Sequence, residues 1–265
     1  LAAKLDQPQA AEVIAAHQTR VSRIETGHVI ARPIEIRAML KAYGVDDDEV
    51  REKLEALAKQ SKRRGWWLEH AAHLRPDYVD HIALEDEATY IRQWQPVLVP
   101  GLLQTAAYAE AVIAAGPDYV APDLIGQLVK VREGRQAKIE EGGASYTGIL
   151  WEAAVVHPLV DVETHREQLV RILELAKRKN VTIQVLPFRA GALAATTSAF
   201  SSFSFDPEPV VEAVTLENLR GTSVLEDPED LTAYANMYDQ LRSAALAPEA
   251  SAELIRDILR SMKED

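Results

Sequence analysis

Four side chains near the start of the chain, Gln18, Thr19, Ser22 and Arg23, are spaced to present hydrogen-bonding groups along one face of a helix. Val21 and Ile24, three residues apart, fall on the opposite face, which leaves the polar row to solvent. Arg can pair with O6 and N7 of guanine, Gln with N6 and N7 of adenine, and a Thr methyl can touch thymine, so such a row can read base edges in a major groove. A second set, Arg132 and Arg135 with Gln136 alongside, lies one helical turn apart and could clamp a carboxylate or phosphate. The alternative for that pair is an intramolecular salt bridge to Glu85, Glu87 or Glu152. His70, His73 and His81 with Asp77 and Asp80 could be drawn as a metal site. They follow neither the His-Glu-x-x-His zinc pattern nor another tight ligand spacing, so they read as solvated or capping groups and no metal is expected. His157, beside Pro158, reads as a turn residue.

The elements that must hold the first row are short helices. Gln7 to Ile14 predicts a helix with Pro8 in its first turn and Ala10, Val13 and Ile14 facing inward. After a short turn, Gln18 to Gly27 predicts the next, with Gly27 as its C-terminal stop. Pro33 opens a third helix carrying Ile36, Leu40 and Tyr43, and Gly44 ends it. Asp46 to Asp48 suit the start of a fourth, whose Val50, Leu54, Leu57 and Ala58 form an apolar stripe able to pack or dimerise. Lys62, Arg63 and Arg64 then give way to Gly65, Trp66 and Trp67, where we place a domain boundary between 1–64 and 65–265.

Gln7, Ala11, Ile14, Gln18, Val21, Ser22, Arg23, Ile24, Glu25 and Gly27 together resemble the pattern of Xre-type helix-turn-helix regulators. The resemblance implies base readout by Gln18, Thr19, Ser22 and Arg23, and phosphate contacts from Gln7, Arg20, Thr26 and Arg32. The chain departs from that pattern at Ala15, where the family usually has Gly, and at Ala10, where a larger apolar residue is usual. The family's first helix lies ahead of Gln7, so it reads as truncated here, with Leu1 to Leu5 remaining. From Trp66 onward the chain is similar to the conserved C-terminal domain of unknown function that follows such modules in actinobacterial regulators. The carriers are Gly65-Trp66-Trp67, Leu84, Glu85 and Ala88, the run Val99 to Thr105 with Tyr108 and Ala109, Arg132, Arg135 and Gln136, Glu152, Gln168 and Leu169, and Val181 to Pro187. This second resemblance implies a small partner protein encoded by a neighbouring gene, in an antitoxin-like system or a developmental or antibiotic-production switch. One helix-turn-helix module reads few base pairs, so a homodimer on double-stranded DNA is expected, and the absence of cysteine suits the cytoplasm.

Charge divides the same way. The chain carries a formal −12, but residues 1–64 hold 12 Lys and Arg against 10 Asp and Glu, while the remainder holds 17 against 31. A DNA-binding surface must then be local and its affinity should fall with salt. The absence of cysteine removes disulfides, thiolate zinc sites and cysteine nucleophiles. No apolar run approaches the length of a membrane span, and no signal peptide is visible, so no membrane partner is expected.

The expected fold is mainly α with a smaller α+β or α/β sheet: an N-terminal helix-turn-helix bundle plus a larger mixed C-terminal domain. In the latter, Leu103, Ala106, Ala107 and Ala111 fit one helix, and Gln127 to Glu140 a second. Tyr146–Trp151, Val181–Leu186, Phe200–Phe205 and Val210–Leu216 read as strands, the third with alternating Phe and Ser. The helix Val162 to Arg178 between the first two strands would let them pair in parallel, and helices Pro228 to Leu246 and Pro248 to Met262 follow. Trp66, Trp67, Arg132, Arg135 and Gln136 are the candidate ligand or partner site. A ligand-gated regulator would line one apolar cavity with Trp66, Trp67 and the Phe200 to Phe205 group, Arg132 or Arg135 converging on it. An enzyme domain would need a perturbed acid and base facing that cavity. Gly191 to Ser198 could form a lid but has no phosphate-loop Lys. No nucleophile elbow, Walker sequence or dinucleotide fingerprint occurs, so no catalysis and no cofactor are expected.

Overall fold

A computed structural model describes residues 5–14, 21, 24, 33–45, 47–60, 66–70, 74–116, 120–205, 210–218 and 221–262. The chain divides into two compact units, Leu1–Gly65 and Trp66–Asp265.

In the first unit, helices α1 (Gln7–Val13), α2 (Pro33–Ala42) and α3 (Asp48–Gln60) are each bounded by local chemistry. Asp6 and Gln9 form a reciprocal capping box ahead of α1, with both hydrogen bonds at 2.9 Å. Gly44, at φ +73°, ends α2, and the Val45 N–H reaches Leu40 O at 3.0 Å and the Gly44 N–H reaches Lys41 O at 3.3 Å. That is the 6→1 and 5→2 pairing of a Schellman stop, which a glycine enters without Cβ strain. The Asp47 carboxylate accepts from the N–H groups of Glu49 and Val50 and starts α3. The inward face of α1 is Ala10, Ala11 and Ile14; Val13, expected inward, is 39% exposed. Positions 7, 10, 11 and 14 make one helical stripe, and Val13 falls off it.

The second unit is built on one six-stranded sheet in the order β3-β2-β1-β4-β5-β6. Its strands are β1 (Tyr90–Gln95), β2 (Ser145–Trp151), β3 (Val181–Leu186), β4 (Phe200–Ser204), β5 (Ala213–Asn218) and β6 (Gly221–Leu225). β1, β2 and β3 pair in parallel, with α5 (Ala106–Ala114) and α6 (Pro122–Arg135) crossing between the first two, and α7 (Glu152–Val156) and α8 (Val162–Leu175) between the next. β4, β5 and β6 add antiparallel on the other side of β1. Helix α4 (Pro76–Glu87) precedes the sheet, and α9 (Pro228–Ala244) and α10 (Pro248–Ser261) follow it.

Both faces of the sheet are covered, so its inner strands are buried on both sides. One face packs Ile91, Tyr146, Ile183 and Phe203 against Leu169 and Ile172 of α8 and Ile255 of α10. The other packs Trp94, Ile149, Phe200 and Val214 against Tyr238 and Leu241 of α9. β4 reads Phe-Ser-Ser-Phe-Ser and all five residues are buried. Phe200 and Phe203 are three apart, so a period of two sends them to opposite faces rather than to the single face that alternation would give. Three further expectations shift: β1 and β6 are additional strands, β5 starts at Ala213 rather than Val210, and α6 starts at Pro122 rather than Gln127. Pro122 at the first helical position with Asp123 behind it is a start signal.

Candidate DNA-binding residues and the polar centre of the second unit

Val21 and Ile24 are both helical, and both turn into the cluster made by Ala10, Ala11 and Met39, with Val21 fully buried. Gln7, at the start of α1, is half-buried and has a partner. Gln18, Thr19, Arg20, Ser22, Arg23, Thr26 and Arg32 lie outside the described residues. On α3, Val50 and Leu54 of the expected apolar stripe are 41% and 37% exposed.

In the second unit the structure separates residues that the ligand-gated reading would gather. Trp67 is buried with Leu74, Ile82 and Val131, and Trp66 packs beside it edge to face at 5.9 Å. A Cβ on Gly134 would lie 2.5 Å from the Trp66 ring, so that glycine is what lets the indole press on α6. Phe200 packs on Tyr234 and Tyr238, whereas Phe203 meets His81 on the opposite face of the sheet. Tryptophans and phenylalanines thus serve three separate clusters.

Arg135 and Arg132 do different work. Arg135, 5% exposed, forms a two-pronged pair with Glu85 of α4, Nε to Oε1 at 2.7 Å and Nη2 to Oε2 at 2.8 Å. It also donates to the Tyr78 hydroxyl and to His81 Nε2, the latter at 3.0 Å. A guanidinium cannot accept, so Nε2 offers its lone pair and the proton sits on Nδ1, which donates to Thr215 Oγ1 at 2.9 Å. His81 is therefore a buried bridge between α4, α6 and β5, not a solvated or capping group. Tyr78 stacks on His81 and lies under the Arg135 guanidinium. Burial alone would raise the Glu85 carboxyl, but attraction to Arg135 and its hydrogen bonds overcome that and lower it from 4.5 to about 2. The same pairing outweighs desolvation at Arg135 and raises its guanidinium well above the usual value. An acid held this far below neutrality is a structural anion and is poorly poised for proton transfer near pH 7.

Arg132 instead braces a turn. Its Nη1 donates to Gln104 Oε1 at 2.8 Å while its Nε is buried with no partner among the described residues. Gln104 Nε2 reaches Val99 O at 2.7 Å, Gln136 Nε2 reaches Gln104 O at 2.6 Å, and Gln168 both accepts from Thr105 N and donates to Leu103 O. The run Val99 to Thr105 is thereby bracketed from α6 and α8, which accounts for a Pro-Gly-Leu-Leu-Gln-Thr segment with buried main chain. A third polar set, Tyr146 Oη to Gln93 Oε1 and Gln93 Nε2 to Ser201 Oγ, both 2.9 Å, ties β2, β1 and β4 across one face. Sequence reasoning missed Gln93, because β1 itself was not recognised. Asp77, drawn earlier with the histidines, accepts from Thr222 N at 2.6 Å and pairs with Arg75. No group of three His, Asp or Glu suited to a metal occurs among the described residues.

A layer of helices on both faces of a mixed sheet, preceded by a small helical unit, is a two-module architecture, and comparison with known families defines each module. Residues 1–53 match the model described as a helix-turn-helix domain, which makes the first unit a DNA-binding regulatory module. Residues 78–257 match the domain of unknown function DUF5753, and the chain belongs to that family. No curated protein and no solved structure matches the chain. No helix among the described residues is long and apolar enough to cross a membrane.

Proposed function

We propose that the chain is a sequence-specific transcription regulator of the Xre type, in which Gln18, Thr19, Ser22 and Arg23 read bases and Gln7, Arg20, Thr26 and Arg32 hold phosphates. The observation that carries this reading is the inward packing of Val21 and Ile24 within a segment matched as helix-turn-helix. Helical spacing assigns the four polar residues to the other side. A homodimer is part of the proposal, because two half-sites about 34 Å apart give the specificity one module lacks. The exposed Val50 and Leu54 on α3 support it as an apolar contact.

The second unit's part is to bind a small partner protein, in an antitoxin-like or developmental switch of the actinobacterial kind, acting in the cytoplasm. The resemblance over residues 65–187 supports this. So does the use of Arg135, Trp66 and Trp67 in internal packing, which takes them away from a ligand cavity. Salt titrations test the DNA reading. Arg23→Ala is expected to lower affinity and relax preference at particular bases, whereas Arg32→Ala weakens all DNA alike and reduces the salt slope by about one. Equal losses on every sequence for Arg23→Ala would reject its reading role.

A further inference from the structure

Eight large apolar side chains of the second unit are exposed among the described residues. Five of them, Val97, Val156, Leu159, Val162 and Phe188, gather at one end of the sheet, each 41–55% exposed. β3, β2 and β1 are neighbours and run in parallel, so their last residues, Leu186, Trp151 and Gln95, lie within about 10 Å of one another across the strands. Val97 stands two residues past β1, and Phe188 two past β3. α7 begins directly after β2 and ends at Val156, and α8 must start at this same end, with Val162, to cross back to the beginning of β3. The Phe188 ring packs edge to face on Trp151 at 5.7 Å, and the Phe188 N–H donates to the Glu152 carboxylate. Those two contacts join the ends of β2 and β3 into one surface.

This end is also poor in charge. Residues 95–101, 151–160 and 187–198 carry one acid, Glu152, one Arg, Arg189, and His157, in a unit that holds 31 Asp and Glu against 17 Lys and Arg. At the rim, Asp161 caps α8 through Thr164 N and Glu163 pairs with Arg166. Two copies of a unit this acidic repel over most of their surfaces, and the repulsion is least where neutral apolar ends meet. A basic partner would be drawn to the acidic remainder instead. Five side chains exposed to this degree offer on the order of 400 Å² of apolar area, close to the apolar share of the roughly 800 Å² that one partner brings to a standard interface.

We infer that a second copy of the chain docks here, the ends of the two sheets meeting about a two-fold axis with Val97, Leu159 and Phe188 of each copy buried against the other. The inference rests on the homodimer reading and adds a contact in the second unit to the one on α3. Sedimentation equilibrium of the full chain without DNA tests it. Expected is a dimer whose Kd rises at least about tenfold with Leu159→Asp and with Val97→Asp, while the circular dichroism spectrum is unchanged. The chain has no cysteine, so a single Leu159→Cys should cross-link two copies through a bismaleimide, and Val224→Cys, exposed on the far edge strand β6, should not. Equal cross-linking of the two variants, or none, overturns the inference. A dimer that survives both aspartates and is lost with Leu54→Asp also overturns it and leaves the α3 contact standing. A monomer at every concentration overturns both. Protection of the Leu159 and Phe188 amides from hydrogen exchange only when the neighbouring gene's protein is added overturns the second copy as the occupant.

Discussion

Replacing Glu85 by Gln keeps the shape of the side chain and removes the anion that Arg135 faces across 2.7 Å. The Glu85 carboxyl is lowered from 4.5 to about 2 in the folded chain, and a difference of that size corresponds to roughly 3 kcal/mol of folding stability. Breaking a buried pair from one side is independently expected to cost about 3–5 kcal/mol, because the remaining charge is left in low dielectric. Because the folded-state value is depressed, this stability is fully present above pH 4.5 and is lost as pH falls through about 2. The assay is urea unfolding followed by tryptophan fluorescence. All four tryptophans, Trp66, Trp67, Trp94 and Trp151, lie in the second unit, so the signal reports that unit alone. Glu85→Gln should be about 3 kcal/mol less stable than the parent at pH 7, and the gap should shrink steadily between pH 4.5 and pH 2. Other groups titrate over the same range but cancel in the difference between the two proteins. Joint replacement Glu85→Leu with Arg135→Met should recover only part of the loss, since an apolar pair costs no desolvation but leaves the buried His81 Nε2 without its donor. A gap below about 1 kcal/mol at pH 7, or one that does not change with pH, would refute the account of this pair.

Three other outcomes follow from the geometry. Gly134→Leu places atoms inside the Trp66 ring and should destabilise the second unit by about 1–3 kcal/mol in the same fluorescence assay, despite leucine's better helix propensity. In Gly148→Ala the new Cβ would stand 2.7 Å from the Tyr146 hydroxyl. It should cost about 1–3 kcal/mol by displacing that hydroxyl from Gln93, with a smaller further loss when Tyr146→Phe has already removed it, read as a double-mutant cycle. Arg132→Ala should loosen the bracket on Gln104 and speed amide exchange across Val99 to Thr105 while leaving the Glu85 pH dependence unchanged, checked by exchange mass spectrometry.

Elements with local start and stop chemistry were legible in the sequence. Pro33, Pro228 and Pro248 each open a helix, Gly44 closes one, and Val181 to Leu186 is apolar enough to read as a buried strand. β1 was not legible, because Tyr-Ile-Arg-Gln-Trp-Gln carries three long polar residues. Gln93 is nonetheless 3% exposed, made tolerable by Tyr146 and Ser201, which lie 53 and 108 residues away. No local window contains those partners. The same limit governs the polar centre: Glu85 was among the candidate partners of the arginines, but His81 joins it through Arg135 and is anchored from behind by Thr215, 54 and 134 residues distant. A histidine among Asp77, Asp80 and His73 looks solvated until the sheet is folded against it. Gly134 carries no signal without Trp66, since a glycine inside a helix reads simply as a weak position.

The first unit is proposed to read DNA sequence. Fluorescence anisotropy of the full chain, against DNA from upstream of its own gene and a scrambled duplex across a range of salt, tests it most directly. Expected is preferential binding to the upstream duplex, abolished by Gln18→Ala and by Arg23→Ala, with affinity for both duplexes falling as salt rises. Equal affinity for the two duplexes at every salt concentration would contradict it.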